Sequence, residues 1–198
     1  MADFKTATTV GARIAAIRKA RGYASAKALA EAIPGDSVTE SILQNIEAGR
    51  KNDLAVAQLL NIAWALRVPP VFILAPLGNP NGSLDLPNII PDIQELTVGE
   101  FDGWLSGLDD GPYRPITADE RNERIQLNAL RELLAARREA HRLQTIVDHA
   151  TELAPDKTED EAVALWSNFQ QRLDDTNRNI QQLEAYLRSA GWVVDSHE

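Results

Sequence analysis

Two long runs of regularly spaced side chains in residues 117–198 restrict the fold of this chain more than any other feature. In each run the spacing alternates between four and three residues, which keeps the whole run on one side of a helix. The first run consists mainly of small side chains: Ala129, Leu133, Ala136, Ala140, Leu143, Val147 and Ala150. The second run is bulkier: Ala162, Trp166, Phe169, Leu173, Thr176, Ile180, Leu183, Leu187 and Ala190. Because a helix lined with alanine can approach closely one lined with large side chains, the pattern predicts an antiparallel hairpin of two helices with roughly 30 residues in each arm.

Local signals mark the ends of these two helices. Thr117 and Glu120, and then Thr158 and Glu161, have the spacing of a capping box, and Pro155 interrupts the helical pattern between them. Apolar residues outside the small run form a second edge, which we expect to bury against another subunit. The residues predicted to support dimerisation are Leu127, Leu130, Leu134, Trp166, Phe169, Leu173, Ile180, Leu183 and Leu187. A monomeric hairpin and a hairpin that binds a different protein are the alternatives.

The first 76 residues carry the pattern of a bundle of five short helices. The first helix ends at Gly22, and Ser25 caps the second. The third helix follows a Pro-Gly-Asp turn, and the fourth begins near residues 52–53 and ends before Pro69. Pro70 then begins a short fifth helix. The sequence therefore predicts an all-α protein.

The third helix of this bundle has the composition of a surface that reads DNA. The apolar residues at helical spacing are predicted to point inward: Val38, Ile42, Leu43 and Ile46. The residues predicted to face outward are Thr39, Glu40, Ser41, Gln44 and Asn45. Short hydroxyl, amide and carboxylate side chains suit hydrogen bonds to base edges, whereas Arg50 and Lys51 suit phosphates. Gly49 is predicted to end the helix in the left-handed conformation, leaving free backbone N–H groups for the sugar-phosphate strand.

With these pieces in place, residues 9–77 resemble the Xre-type helix-turn-helix family, the group of the Cro protein and the lambdoid phage repressors. The matching segments are residues 13–18 with Gly22, residues 29–30, residues 38–49 and residues 60–68. The resemblance implies a lambda-repressor-like fold in which Glu40, Ser41 and Asn45 reach bases, and Thr39 and Ser25 lie near phosphates. It also implies that Arg18 pairs with Glu47 inside the domain. The full predicted DNA-binding set is Ser25, Lys27, Thr39, Glu40, Ser41, Gln44, Asn45, Arg50 and Lys51.

Two features of this region leave the assignment of individual base contacts open. The link from Leu29 to Val38 is longer than the usual family pattern, and a longer turn can re-aim the third helix. Ser37 and Glu40 also have capping-box spacing, so Glu40 either folds back on the start of its own helix or accepts a hydrogen bond from a base.

Charge divides the chain between its two ends. Residues 1–76 hold nine Lys or Arg against six Asp or Glu, giving +3, while residues 77–198 hold eleven against twenty-three, giving −12. The acidic part is expected to repel DNA, while the basic N-terminal face attracts it locally. We therefore predict weak sequence-independent binding and a modest dependence of affinity on salt.

Residues 77–116 are rich in helix-breaking residues: Pro76, Gly78, Pro80, Gly82, Pro87 and Pro91 stand within or beside them. We predict a linker there, with one short helix that begins with the capping pair Thr97 and Glu100 and ends near Gly107. Phe101 and Trp104 are expected to dock this linker on a core rather than to bind a ligand. The predicted domains are residues 1–76, 77–116 and 117–198.

Composition argues against several other classes of protein. The absence of cysteine excludes disulfides and thiolate metal sites, and fits a reducing cytoplasm. No apolar run reaches membrane-spanning length, and the first ten residues lack the core of a signal peptide. His141 and His149 are eight residues apart on one helix, too far to share a metal ion, and no glycine-rich phosphate loop is present. We expect no cofactor and no enzymatic activity.

The sequence thus predicts a cytoplasmic regulator of transcription, a repressor of phage or prophage type, that occupies an operator in the major groove as a homodimer. Helix-turn-helix proteins use two copies because one short helix contacts too few bases for useful selectivity. The alternative is an antitoxin-like or adaptor protein whose distal hairpin binds a protein partner, such as a toxin or an antirepressor.

Overall fold

The computed structural model of the chain describes residues 4–108, 112, 114–149 and 159–194, and for residues 159–162 it describes the backbone alone. The described residues are all-α, with nine helices and one isolated antiparallel bridge between Ser83 and Thr97. The chain divides into two compact units, residues 1–114 and residues 115–198. Three predictions lie outside the described residues or side chains. They are the helix start at Thr158 and Glu161, the break at Pro155 and the end of the first run at Ala150.

The first unit begins with five helices: α1 Val10–Ala20, α2 Ala26–Glu31, α3 Glu40–Glu47, α4 Val56–Ala65 and α5 Val71–Leu74. Their inner faces form one hydrophobic cluster that includes Ile14, Leu29, Leu43, Ile62 and Ile73, each fully buried. The helix ends follow their side chains. Thr9 and Ser25 accept hydrogen bonds from the N–H groups of Ala12 and Ala28, and Gly22 follows α1 at φ +85°.

The fourth helix begins later than the sequence predicts. Residues 52 and 53 lie outside the helix, and Ala55, which has no side-chain acceptor, is its N-cap. The side chain of Gln58 performs the capping instead, because its Oε1 atom accepts from the backbone N–H of Ala55 at 3.3 Å and from Lys51 Nζ at 2.9 Å. Leu54 packs against the core from the preceding segment rather than from the helix.

The breaker-rich segment that follows the bundle holds two helices, α6 Pro91–Gln94 and α7 Val98–Leu105, where the sequence predicts one. The predicted capping box of Thr97 and Glu100 is confirmed. Phe101 is buried in a second hydrophobic cluster together with Leu84 and Val98, and Trp104 packs against this cluster, as expected for residues that dock on a core. Residues 77–105 therefore pack around a second core, which includes Ala75 and Leu74 from the end of the bundle.

The second unit is a pair of long helices, α8 Ala118–Asp148 and α9 Glu159–Ser189. The predicted capping box of Thr117 and Glu120 begins α8. The helices are antiparallel, because residues later in α8 form hydrogen bonds to residues earlier in the second arm. Gln126 bonds to Trp192, just after α9, whereas Arg137 bonds to Glu184 and Glu139 to Arg172 within it. Both runs of regularly spaced side chains contribute buried residues. These are Ala129, Leu133 and Leu143 from the first run and Leu173 and Leu187 from the second.

Candidate nucleic-acid interface

The candidate interface is centred on α3, whose inner face packs against the core of the bundle. Val38, Leu43 and Ile46 are almost completely buried, and α3 packs against both α1 and α2. The approach to α1 is close: a Cβ atom added to Gly11 would lie 2.1 Å from the carbonyl oxygen of Ile46. Only glycine permits this contact, so the position of α3 depends on it.

The N-terminus of α3 decides the role of Glu40. Thr39 is the N-cap and accepts a hydrogen bond from the N–H of Ile42 at 3.3 Å. The alternative capping box of Ser37 and Glu40 is wrong: Ser37 Oγ accepts from Asn61 Nδ2 at 2.9 Å, and Glu40 Oε1 accepts from Gln44 Nε2 at 2.9 Å. Glu40 is thereby left on the outer face of the helix.

The outer face of α3 carries the polar residues that the helical spacing places there. Thr39, Glu40, Ser41 and Gln44 are exposed, and Asn45 is half-buried. The hydrogen bond between Gln44 and Glu40 links side chains one turn apart, and it orients the amide of Gln44 along the helix. This face therefore offers hydroxyl, amide and carboxylate groups together, which can donate to and accept from base edges.

At the other end of α3, Gly49 has φ +70°, as predicted for a helix end. The expectation of free N–H groups after it is wrong, since the N–H groups of Arg50 and Lys51 both donate to the carbonyl oxygen of Asn45, at 2.9 and 3.0 Å. A phosphate contact made by Arg50 or Lys51 therefore comes from the side chain. Arg50 is exposed, and its Nε donates to Asn45 Oδ1 at 3.0 Å, while Lys51 Nζ donates to Gln58.

The coupling of Asn45 to Arg50 was not predicted. It joins a residue expected to read a base with a residue expected to hold a phosphate. The two lie five residues apart across the helix end, a spacing that brings side chains together only because Gly49 reverses the backbone. The conformation of Gly49, which the sequence does predict, is the one signal that pointed to this contact.

Ser25 and Lys27 stand at the start of α2. The hydroxyl of Ser25 accepts from the N–H of Ala28 at 3.1 Å, so its oxygen serves the helix and its proton can still be donated. Lys27 is exposed and lies 3.8 Å from Glu31, an ion pair weak enough to open for another anion. Both residues can therefore reach a phosphate.

Arg18 and Glu47 form the ion pair that the resemblance implies. Arg18 Nε and Nη2 donate to the two carboxylate oxygens of Glu47 at 2.7 and 2.9 Å, and Nη1 donates to the carbonyl of Tyr23. The hydrogen bond to Glu47 raises the pKa of Arg18 above its ordinary value, against the opposing effect of burial. This pair ties α1 to the end of α3 and is structural.

Several residues predicted to support dimerisation are used inside the hairpin. Leu173 and Leu187 are buried between the two helices of one chain, so a second copy cannot reach them, contrary to the prediction. Leu130, Ile180 and Leu183 are partly buried against the hydrophobic cluster between the two helices. Leu127 and Phe169 are also partly buried. Leu134 and Trp166 are exposed. The two runs therefore face each other within one chain, where they form the hydrophobic cluster between α8 and α9.

The histidines on α8 and at its end, His141 and His149, are exposed, and His149 Nδ1 lies 2.9 Å from the carbonyl oxygen of Thr145. In the described part of the chain, no group of three or more histidine or carboxylate side chains is placed to hold a metal ion. Among the helices of that part, none has an apolar stretch long enough to span a bilayer.

Comparison of the chain with models of known protein families, with curated proteins and with solved structures finds no significant match.

Proposed function

We propose that the chain is a transcriptional regulator of the phage or prophage repressor type, which binds a specific sequence of double-stranded DNA as a dimer. The observation that carries the proposal is the outer face of α3: an exposed set of short polar side chains, followed at once by Arg50 and Lys51. Such a face can donate to and accept from base edges in the major groove, while the two cations hold the strand beside it.

The packing of α3 supports the same function. Reading a base edge requires a helix whose position does not vary, because hydrogen bonds are weakened by shifts of a few tenths of an ångström. The Arg18–Glu47 pair fixes the C-terminal end of α3, and the contact of Gly11 with Ile46 fixes its side. The proposed lambda-repressor-like arrangement places α3 as the recognition helix and α2 as the helix that crosses the phosphate strand.

The distribution of charge suits a protein that must select its site. Residues 1–76 are weakly basic and residues 77–198 strongly acidic, so that sequence-independent attraction to DNA is small. Affinity then depends on the contacts that α3 makes at one sequence. A chain of this kind acts in the cytoplasm, where the DNA is accessible.

Selection of binding sites from random duplexes tests the proposal. The full-length protein should enrich one motif with two related halves, with centres about one helical turn apart. The variant Gln44→Ala should relax the preference at one position in each half, because it removes an amide from the outer face of α3. The matched control Gln181→Ala changes an exposed glutamine of α9 and should enrich the wild-type motif. Selection of no motif by the folded wild-type protein would overturn the proposal.

A second function is favoured by the apolar residues on the surface of the hairpin. Leu134, Trp166 and Tyr186 are exposed on α8 and α9, and exposed aromatic residues are typical of protein interfaces. The chain would then be an antitoxin-like or adaptor protein whose hairpin binds a toxin or another partner. Purification from the native host distinguishes the two: a stoichiometric partner of different mass supports this second function, and a protein that purifies alone supports the repressor.

A further inference from the structure

The outer face of α4 carries an apolar stripe that the described residues of the first unit leave uncovered. Val56, Leu60 and Trp64 follow each other at four-residue intervals and are 72%, 50% and 87% exposed. A tryptophan exposed to this extent on a regular helix is unusual, because it keeps a large apolar surface in water. We call these three residues the α4 stripe.

The stripe is not the result of a loosely placed helix. Ile62 and Leu66 on the inner side of α4 and just after its end are fully buried in the main core. A third side of the helix is also occupied, because Gln58 Nε2 donates to the carbonyl oxygen of Ser37 at 3.0 Å and Asn61 Nδ2 donates to its hydroxyl. Two sides of α4 are therefore satisfied within the chain, and the stripe is presented on a helix with a fixed orientation.

The α4 stripe is complementary to a second copy of itself. Leu60 is its centre, with the small Val56 four residues before and the large Trp64 four residues after. In two antiparallel helices related by a twofold axis through Leu60, the Trp64 side chain of each copy lies opposite the Val56 side chain of the other. A large side chain therefore faces a small one at both ends of the stripe. The ridge that these residues form at four-residue spacing on one helix packs into the groove between such ridges on the other.

The charges at the two ends of α4 favour the same arrangement. Asp53 lies just before the start of α4 and Arg67 just after its end, and both are exposed. An antiparallel pairing brings Asp53 of each copy toward Arg67 of the other, whereas a parallel pairing places these like charges together. It also sets the helix dipoles in opposite directions.

We propose that two copies of the chain associate through the α4 stripe about a twofold axis at Leu60. The three side chains offer roughly 400 Å² per copy, about half of what a standard stable interface contributes, so the dimer dissociates on dilution. This inference names the surface on which the proposed repressor forms its dimer. It rests on the proposed function only where it takes this dimer to be the one that binds DNA, and both tests below are made without DNA, so the two proposals can fail separately.

The outer edge of the hairpin is the competing surface for self-association. Of its three leucines, Leu134 is 44% exposed, while Leu127 and Leu130 are partly covered by their own chain. Leu134 thus has nearly the exposure of Leu60, and substitutions at the two positions can be compared directly.

Cysteine cross-linking locates the axis, because the natural chain contains no cysteine. Helices packed about 8–10 Å apart bring facing Cα atoms within the distance of about 4.4–6.8 Å that a disulfide spans, so Leu60→Cys should form a disulfide between two copies under mild oxidation. Leu134→Cys should remain a single chain on a non-reducing gel. A cross-link from Leu134→Cys alone, equal cross-linking by both variants, or none from Leu60→Cys would each overturn the proposal.

Sedimentation velocity over a range of concentrations measures the association itself. The wild-type protein should pass from monomer to dimer as its concentration rises, and Leu60→Glu should raise the dissociation constant by about tenfold or more, because it places two like charges at the axis. Leu134→Glu should leave the constant within about twofold of the wild-type value. Circular dichroism checks that each variant is folded. A wild-type protein that stays monomeric, or a larger effect of Leu134→Glu, contradicts the assignment.

Discussion

Arg13 and Asp85, which are 72 residues apart in the chain, form a bidentate ion pair with N···O distances of 2.6 and 2.8 Å. Arg13 is fully buried, and its other three N–H groups donate to the backbone carbonyls of Ala7, Ile73 and Leu74. All five donors of the guanidinium are thus satisfied. One side chain of α1 therefore joins the first residues of the chain, the end of α5 and the breaker-rich segment.

Loss of the carboxylate of Asp85 should destabilise the first unit strongly. In Asp85→Asn the charge of Arg13 stays buried without a counterion, which should lower the free energy of unfolding by about 3–5 kcal/mol. Urea denaturation of the full-length protein measures this change. The control Glu31→Gln removes the carboxylate of the exposed pair with Lys27 and should change stability by less than about 1 kcal/mol. Similar small effects of both substitutions would show that the buried pair is not important for stability.

Gly11→Ala should also destabilise the protein, for a steric reason. The new methyl group would lie 2.1 Å from the carbonyl oxygen of Ile46, and a backbone atom cannot move away without shifting α3. We expect a loss of about 1–3 kcal/mol in thermal or urea unfolding. Gly99→Ala is the milder comparison, because its methyl group would lie 3.3 Å from the carbonyl oxygen of Pro80, a tight contact that a shift of a few tenths of an ångström relieves, and alanine favours the helix that it joins. Equal stability of the two variants would contradict the close approach of α1 and α3.

Features of the fold that rest on local signals were predicted from the sequence. The positive φ of Gly49, the cap at Ser25 and the capping boxes at Thr97 and Thr117 all depend on residues within one turn of each other. The burial of Leu133 and Leu143 follows from a period that persists over many turns. The all-α class and the pair of long helices followed from these patterns.

The features that were missed depend on contacts distant in sequence or on surroundings. No local pattern connects Arg13 with Asp85. The start of α4 was placed too early because Asp53 is a good N-cap residue, whereas the helix is capped by Gln58 from within. The apolar side chains of Val56, Leu60 and Trp64 look like core residues in the sequence, and only the fold shows which side of α4 is left uncovered.

The stability of the hairpin should depend on the charge of Glu184. Arg137 donates to this buried carboxylate at 2.8 Å and Arg188 at 2.7 Å, and these hydrogen bonds hold the pKa of Glu184 below its ordinary value of 4.5 despite burial. The unfolded chain therefore takes up the proton at a higher pH than the folded protein. The stabilisation is present above about pH 4.5 and is lost as the pH falls through the lower pKa of the folded state.

Glu184→Gln tests this dependence on pH. It should lower the free energy of unfolding at pH 7 by about 1–3 kcal/mol, since it removes the charged acceptor that Arg137 and Arg188 share. The difference from the wild-type protein should shrink below pH 4.5, where the wild-type carboxylate is also neutralised. Thermal melting at a series of pH values measures this difference. A difference that stays constant down to pH 3 would indicate that Glu184 acts through packing and not through its charge.

If α3 reads DNA, Asn45 and Arg50 should contribute to binding as one unit, because Arg50 Nε donates to Asn45 Oδ1 at 3.0 Å. Arg50→Ala should weaken binding to all duplexes alike and reduce the slope of log affinity against log salt by about 0.9, because one phosphate is no longer neutralised. Asn45→Ala should weaken the preference for one base pair and also release Arg50, so the double variant should lose less free energy of binding than the sum of the single losses. Fluorescence anisotropy measures the affinity of the wild-type protein, the two single variants and the double variant for the selected duplex and for that duplex altered at one base pair. Arg142→Ala, which removes a cation from the distal hairpin, should leave each value near that of the wild-type protein. If Asn45→Ala and Arg50→Ala both leave affinity unchanged, then the face of α3 that we assign to DNA is not the one that binds it.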